Sequence, residues 1–200
     1  MKIIGLCGGS GSGKGAVSEI FRELGVPSVD ADAVYREITS RPSECLAQLA
    51  REFGDGVIKN GALDRDYLRG VIFTPPGVAQ RQARLNAITH KYVVAEMKRR
   101  IEWHRLTGVC GVILDAPLLF ESGLDGICDT LIAVVADREL RIARIITRDG
   151  ITLTAAEQRL AAQKPDAELI SICHHIIVNN GTLDELTLSV RGVYQKIFET

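Results

Sequence analysis

Two hundred residues, 46% of them apolar and only 5% aromatic, amount to one domain of chain, aliphatic enough to bury a sizeable core. The 24 basic and 25 acidic residues nearly cancel, so charge directs the chain neither to nucleic acid nor to a membrane surface, and neither is expected as a partner. Five cysteines, odd in number and without a C-x-x-C pair, argue against a disulfide framework or a zinc site and predict reduced thiols in a cytoplasmic protein.

The apolar run Ile3-Ile4-Gly5-Leu6-Cys7 reads as a strand and stops at Gly8-Gly9, too soon for a signal peptide. No apolar run approaches transmembrane length. Behind the strand, Gly8-Gly9-Ser10-Gly11-Ser12-Gly13-Lys14 fits G-x-x-x-x-G-K, and Ala16, Val17, Ile20, Phe21 and Leu24 mark the buried side of a following helix. Strand, glycine-rich turn, helix is the setting a phosphate-binding P-loop requires. An ordinary glycine-rich turn is the plainer reading, and the agreement of strand, spacing and lysine weighs against it. The glycines let successive amides curl inward as an anion nest, and the helix start adds free N–H groups and a positive dipole end. Gly9, Ser10, Gly11, Ser12, Gly13, Lys14, Gly15 and Ala16 are therefore expected around the phosphates of a nucleoside triphosphate. Gly15 stands where Ser or Thr usually offers a hydroxyl to Mg²⁺.

Gly25 suits a helix C-cap, and Pro27-Ser28-Val29 forms a short strand leading to Asp30-Ala31-Asp32. Acids at the carboxyl end of a core strand sit at the mouth of an α/β sheet. One suits a general base for a hydroxyl and the other a magnesium ligand through water. Either also suits the N-cap of the next helix. From Ala33 to Leu106 the pattern is mostly helical, with no sustained strand. Leu46, Leu49, Ala50 and Phe53 mark one helix; Leu63-Asp64-Arg65-Asp66 opens another; a long stretch beyond Pro75-Pro76 carries Leu85, Ile88, Val93, Met97 and Ile101. So long an excursion exceeds what a crossover needs and predicts an inserted substrate-binding region, where Arg81 and Arg84 are available to an anionic substrate.

Val112-Ile113-Leu114-Asp115 is a buried strand ending in an acid, the place of a Walker-B-type carboxylate that holds Mg²⁺ directly or through water. Thr130 to Val135 is a fourth strand. Arg138, Arg141, Arg144 and Arg148 then line one side of a helix, either to stabilise a transferring phosphoryl group or as a solvated face. Thr154-Ala155-Ala156-Glu157 has capping-box spacing and opens a short helix, and the stretch onward to Ser171 suits a mobile lid. His174 to Val178 is a fifth strand, with His174 and His175 on opposite faces, and Thr182 to Glu185 is a second capping box. Strands alternating with helices predict a parallel sheet covered on both faces.

The ordered motifs are specific. Gly8–Lys14, Asp-Ala-Asp at 30–32, Leu-Asp-Arg at 63–65, Leu85-Asn86 with His90, and Asp-x-Pro-Leu-Leu-x-Glu at 115–121 come first. Arg144, Arg148-Asp149, Ala161-x-Gln163 and Asn179-Asn180-Gly181 follow. In this order the chain resembles the dephospho-coenzyme A kinase family over essentially its full length.

The resemblance implies a P-loop kinase of α/β class, three-layer α/β/α, with a five-stranded parallel sheet. It implies one domain with a core at about 1–32, 107–150 and 173–200, a helical acceptor-binding insertion at about 33–106 and a lid at about 151–172. The implied reaction moves the ATP γ-phosphate to the ribose 3′-hydroxyl of dephospho-CoA, with Mg²⁺ as cofactor, in a monomer or weak homo-oligomer. By that analogy Asp32 orients or deprotonates the hydroxyl, and Lys14, Arg144 and the metal stabilise charge on the phosphoryl group. Asp115 and Asp30 would hold the metal through water. Arg148 and the Asn179-Asn180-Gly181 turn would serve the nucleotide, and Arg65, Arg81, Asn86, His90, Leu118 and Glu121 the acceptor.

The chain departs from the family pattern at Gly15-Ala16, at Lys91 where Pro is usual, at His174-His175, and in the lid. There Asp166 and Leu169 stand near the places of arginines and leave Lys164 as the cation. A related small-molecule kinase with another hydroxyl acceptor, or a nucleotide-binding sensor with little turnover, are the alternatives.

Overall fold

The computed structural model of the chain describes residues 1–117 and 119–199. β1 (Lys2–Cys7) leads through the glycine-rich turn into α1 (Lys14–Glu23), and β2 (Ser28–Asp30) runs directly into α2 (Ala31–Thr39). Then come α3 (Glu44–Phe53), a small hairpin of β3 (Ile58–Lys59) and β4 (Ala62–Leu63), α4 (Arg65–Phe73) and the long α5 (Val78–Leu106). The chain continues with β5 (Gly111–Asp115), β6 (Thr130–Val135), α6 (Arg138–Asp149), α7 (Leu153–Ala161), α8 (Asp166–Ile172), β7 (His175–Val178) and α9 (Leu183–Phe198). It divides into two compact units, Met1–Ser28 with His104–Thr200, and Val29–Trp103.

The first unit carries β5, β1, β6 and β7 of a five-stranded sheet of order β2-β5-β1-β6-β7, in which β1 pairs in parallel with β5 and β6, and β6 with β7. β1 is the central strand, and its Ile4 and Leu6 are fully buried. On their face α1 and α9 close a core of Val17, Ile20, Phe21, Leu186 and Val190. The other face is closed over Gly5, where an added Cβ would lie 2.6 Å from Leu131 and 2.8 Å from Leu119. A larger residue there would push those side chains off the sheet. Because the connection from β1 runs toward β2 and the one from its neighbour β5 runs the other way to β6, a crevice opens at the carboxyl ends of β1 and β5. The register sets Leu6 opposite Asp115, so the glycine turn and the β5 acid emerge side by side.

Helix ends follow local chemistry. α1 stops where Gly25, at φ +83°, turns the chain left-handed, and Val26 N donates back to Phe21 O. The expected capping box at Thr182 forms with Glu185. The one expected at Thr154 does not: the N-cap of α7 is Thr152, whose hydroxyl accepts from Ala155 N at 3.3 Å, so Thr154 lies within the first turn. The hydroxyl of Thr152, two residues earlier, reaches the free amide instead. The five cysteines are free thiols, Cys7 and Cys45 buried.

The second unit has its own core of Leu49, Phe53, Val57, Leu68, Ile72 and Ile88, contributed by α3, α4, α5 and the turn before β3. Ser43 and Asp64 cap α3 and α4 through their side-chain oxygens. The hairpin β3–β4 was not legible as strand, because each arm is two residues long.

On α5, Glu96 accepts from Arg99 Nε at 2.7 Å and Arg100 Nε at 2.9 Å. The Arg99 hydrogen bond, with help from Arg100, holds its carboxyl down from 4.5 to about 2. A carboxylate depressed in the folded state stabilises fully above its unfolded value and loses that stabilisation as pH falls toward the folded one. Denaturant unfolding from about pH 5 to about pH 2 should therefore show a loss of stability that is smaller in Glu96→Gln.

Candidate functional site: a P-loop with pinned carbonyls and a cationic cavity

The turn from Gly8 to Gly13 has every carbonyl bound. Gly8 O accepts from Lys14 Nζ at 2.9 Å, Gly9 O from Ser12 N at 3.2 Å, and Ser10 O from Arg141 Nε at 2.9 Å. Gly11 O accepts from Arg144 Nη1 at 3.2 Å, Ser12 O from Asn179 Nδ2 at 2.8 Å, and Gly13 O from Val17 N at 3.2 Å. Peptide planarity does the rest: a carbonyl fixed outward sends the amide of the same peptide the other way. The amides of Gly11, Gly13 and Lys14 have no acceptor among the described residues. Gly13 is the N-cap of α1 and supplies no side-chain cap, so the helix start stays open to an anion.

Close approach explains the glycines. A Cβ on Gly13, at φ +98°, would lie 2.0 Å from Asn179 Nδ2, and one on Gly11, at φ +77°, 2.6 Å from Arg141 O. Inside the turn the Ser12 hydroxyl is buried without a hydrogen-bond partner among the described residues. A buried orphan hydroxyl is costly in a finished core and useful where a polar ligand completes the site. Lys14 Nζ stands 3.9 Å from Asp115 Oδ1, so cation and strand-end acid share the mouth of the turn.

The other predicted nucleotide residues separate by role. Arg144 also donates to Asn179 O at 3.0 Å, which makes it and Asn179 braces of the loop. Asn180 Oδ1 accepts from Asp137 N at 2.8 Å and ties the start of α6. Gly181 packs against Glu185 of the capping box. Arg148 forks onto Asp149 at 2.8 and 2.9 Å; with Arg159 it holds that carboxyl down to about 2. A Cβ on Gly15 would meet nothing within 4 Å, so the missing hydroxyl is not forced by crowding. Lys164, the lid cation of the sequence, sits 3.4 Å from Glu168 and 3.6 Å from Glu121, already paired twice. Glu121, expected at the acceptor, is here its partner. Leu118 lies outside the described residues.

In the second unit a cavity of about 630 Å³ is lined by Asp32, Arg36, Arg65, Arg69 and Asn86 among its polar residues. Leu68, Ile72 and Leu85 give it an apolar floor. Arg69 pairs with Asp66 at 3.1 Å, whereas Arg36 and Arg65 have no carboxylate partner among the described residues. Asp32, Arg65 and Asn86 were expected here; Arg36 and Arg69 were not. Their signal was present all the same: Asp32 to Arg36 and Arg65 to Arg69 are spacings of four, one face of a helix each.

Three predicted residues are engaged or placed differently from expectation. Asp30, assigned to metal, uses Oδ1 to accept from Asp32 N at 2.7 Å and Ala33 N at 3.1 Å, because α2 starts without an intervening loop and its first amides need a cap. Arg81 does not line the cavity; its guanidinium donates to the carbonyls of Ile72, Thr74 and Pro76, closing the end of α4. His90 does not line the cavity either, since it lies one turn beyond Asn86 on α5. Among the described residues no group of three or more His, Cys, Asp or Glu is placed to hold a metal.

A family model described as dephospho-CoA kinase matches residues 2–185. A dephospho-CoA kinase of Symbiobacterium thermophilum is 39% identical over 196 residues, covering 98% of this chain and 81% of that protein. The crystal structure of TT1252 from Thermus thermophilus superposes with a TM-score of 0.77 at 30% identity, over 98% of this chain and 97% of that one. Dephospho-CoA kinase from Campylobacter jejuni shares the fold, with a TM-score of 0.68 at 22% identity over 100% and 98% of the two chains. Since the match takes in the phosphate-binding turn, the arginines that brace it and the unit that holds the cationic cavity, the chain belongs to the dephospho-CoA kinase family.

Proposed function

We propose that the protein transfers the γ-phosphate of ATP to the ribose 3′-hydroxyl of dephospho-CoA, the step that yields coenzyme A, in the cytoplasm and with Mg²⁺. The observation that carries this reading is the turn whose carbonyls are all bound, with Lys14 and Asp115 at its mouth. Free amides and the uncapped start of α1 bind the phosphates; Lys14 exchanges Gly8 O for phosphate oxygens. Arg144 holds its guanidinium beside the loop while bracing it. The acceptor belongs in the cavity of the second unit, where the arginines suit its diphosphate and the apolar floor suits its flexible arm. Asp32, in the first turn of α2, orients the hydroxyl and takes its proton.

The residues fit a metal held chiefly by phosphate oxygens and water. Asp115 stands beside Lys14, the Ser12 hydroxyl is unpartnered among the described residues, and no protein cage of three ligands is present among them. Mg²⁺ supplies neutralisation of phosphate charge when bound. No helix of the described chain is long and apolar enough to cross a membrane.

Mass-spectrometric product analysis with ATP, Mg²⁺ and dephospho-CoA, beside shikimate, gluconate and nucleoside acceptors, tests the reading, with Lys14→Ala as the control for contaminating kinase. CoA formed preferentially from dephospho-CoA is expected; preferential phosphorylation of another acceptor, or ATP binding without turnover, overturns it. Asp32→Asn should lower kcat by about 10²- to 10⁴-fold while ATP affinity changes less than about twofold. Arg36→Ala and Arg65→Ala should each raise KM for dephospho-CoA by about tenfold and leave KM for ATP nearly unchanged, since a lost charge-assisted contact is worth about that much.

A further inference from the structure

Arg141 is a cation that the proposed chemistry does not use, yet it is only 8% exposed. It sits in the first turn of α6, and its three nitrogens point at three different partners. Nε donates to Ser10 O at 2.9 Å, Nη2 to Gln163 Oε1 at 2.9 Å, and Nη1 pairs with Asp166 Oδ1 at 2.8 Å. The same Gln163 oxygen accepts from Ser10 N at 2.9 Å. Ser10 is thus held at both its main-chain groups, its N–H by Gln163 and its C=O by Arg141. Gly9 and Gly11 on either side leave room for the arginine: a Cβ on Gly9 would lie 2.1 Å from Nη2, and one on Gly11 2.6 Å from Arg141 O.

Burying a guanidinium is costly unless it is paired and its donors are satisfied. Here the compensation comes from two segments far apart in sequence, the glycine turn and the stretch from Gln163 to Asp166. If either withdrew, the charge would lose part of what holds it in place. We infer that Arg141 is a positioning residue, a latch by which the α7–α8 segment sets the geometry of the phosphate-binding turn. Asp166 balances the charge, Gln163 bridges guanidinium and loop amide, and Ser10 is the point at which the segment acts on the turn. Planar, three-directional donation is what arginine offers and lysine does not. The inference rests on the nucleotide-binding reading only for its consequence, which is that nucleotide affinity depends on residues that touch no phosphate.

The test compares the full chain with Arg141→Gln, Arg141→Lys, Asp166→Asn and the Arg141→Gln/Asp166→Asn double variant. ATP affinity is measured by calorimetry, and amide hydrogen exchange is followed at Ser10–Gly11 and at Gln163–Ile172 without nucleotide. Each single Gln or Asn variant should weaken ATP binding by about tenfold and speed exchange in both segments together. The double variant should be no worse than the Arg141→Gln variant, because the partners act as one unit. Arg141→Lys should recover the pair with Asp166 but not the hold on Ser10, and fall between. ATP affinity within about twofold of the unmutated protein in a folded Arg141→Gln variant, or losses that add in the double variant, would overturn the latch. Should Arg141→Gln not fold, Asp166→Asn carries the test on the same criteria, since Asp166 is partly exposed at the start of α8. A failure of the kinase reading shows itself separately, as absent turnover in the unmutated protein, and leaves the exchange comparison intact.

Discussion

The structure of the first unit depends on where six carbonyls point. Left to itself, a glycine-rich turn samples many conformations, and an anion nest is only one of them. Four side chains and two main-chain amides bind the oxygens from Gly8 to Gly13, while the amides of Gly11, Gly13 and Lys14 have no acceptor among the described residues. The glycines are needed less for flexibility than for access. Arg141 and Asn179 come so near the main chain that a Cβ at Gly9, Gly11 or Gly13 would collide with them. Preorganisation of this kind means that the ordering is complete before the ligand arrives.

The arginines of α6 illustrate how one spacing yields three environments. Arg141 and Arg144 are three residues apart and both reach the glycine turn, one fully enclosed and one half-buried. Arg148, one turn later, is mostly exposed and pairs with its neighbour Asp149 on the surface. A pattern of four basic residues at helical spacing therefore does not present one uniform face. Arg141 and Arg144 brace the glycine turn, while Arg138 and Arg148 form surface ion pairs with Glu157 and Asp149, of the kind that adds little to stability.

The second unit shows the complementary case, charge gathered without neutralisation. Three arginines and one acid line its cavity, and only Arg69 has a nearby carboxylate partner among the described residues. A chain with almost no net charge still concentrates cations locally because helical spacing stacks Arg36 one turn above Asp32 and Arg69 one turn above Arg65. The two acids at the start of α2 likewise divide their work. Asp30 is turned to the backbone of its own helix, and Asp32 is left to face the cavity.

Much of this protein was determined by local sequence alone. Strand, glycine turn and lysine are neighbours along the chain, so Ile3–Lys14 declared a P-loop. The alternation of apolar strands with amphipathic helices declared a parallel α/β sheet, and Asp115 followed as the acid at a strand end. These features rest on interactions within a few residues, where spacing carries the geometry. Tertiary structure decided the rest. That Asp30 caps a helix depends on α2 beginning without a loop; that Arg81 closes the end of α4 depends on carbonyls freed several residues earlier; that Lys164 is paired a second time depends on Glu121. Above all, the buried place of Arg141 depends on Ser10, Gln163 and Asp166 converging from separate segments, and no period along the chain encodes that meeting. A side chain's type and spacing set what it can bind, but which partner it binds is settled by packing, because a buried charge must take whichever partners the fold brings within reach.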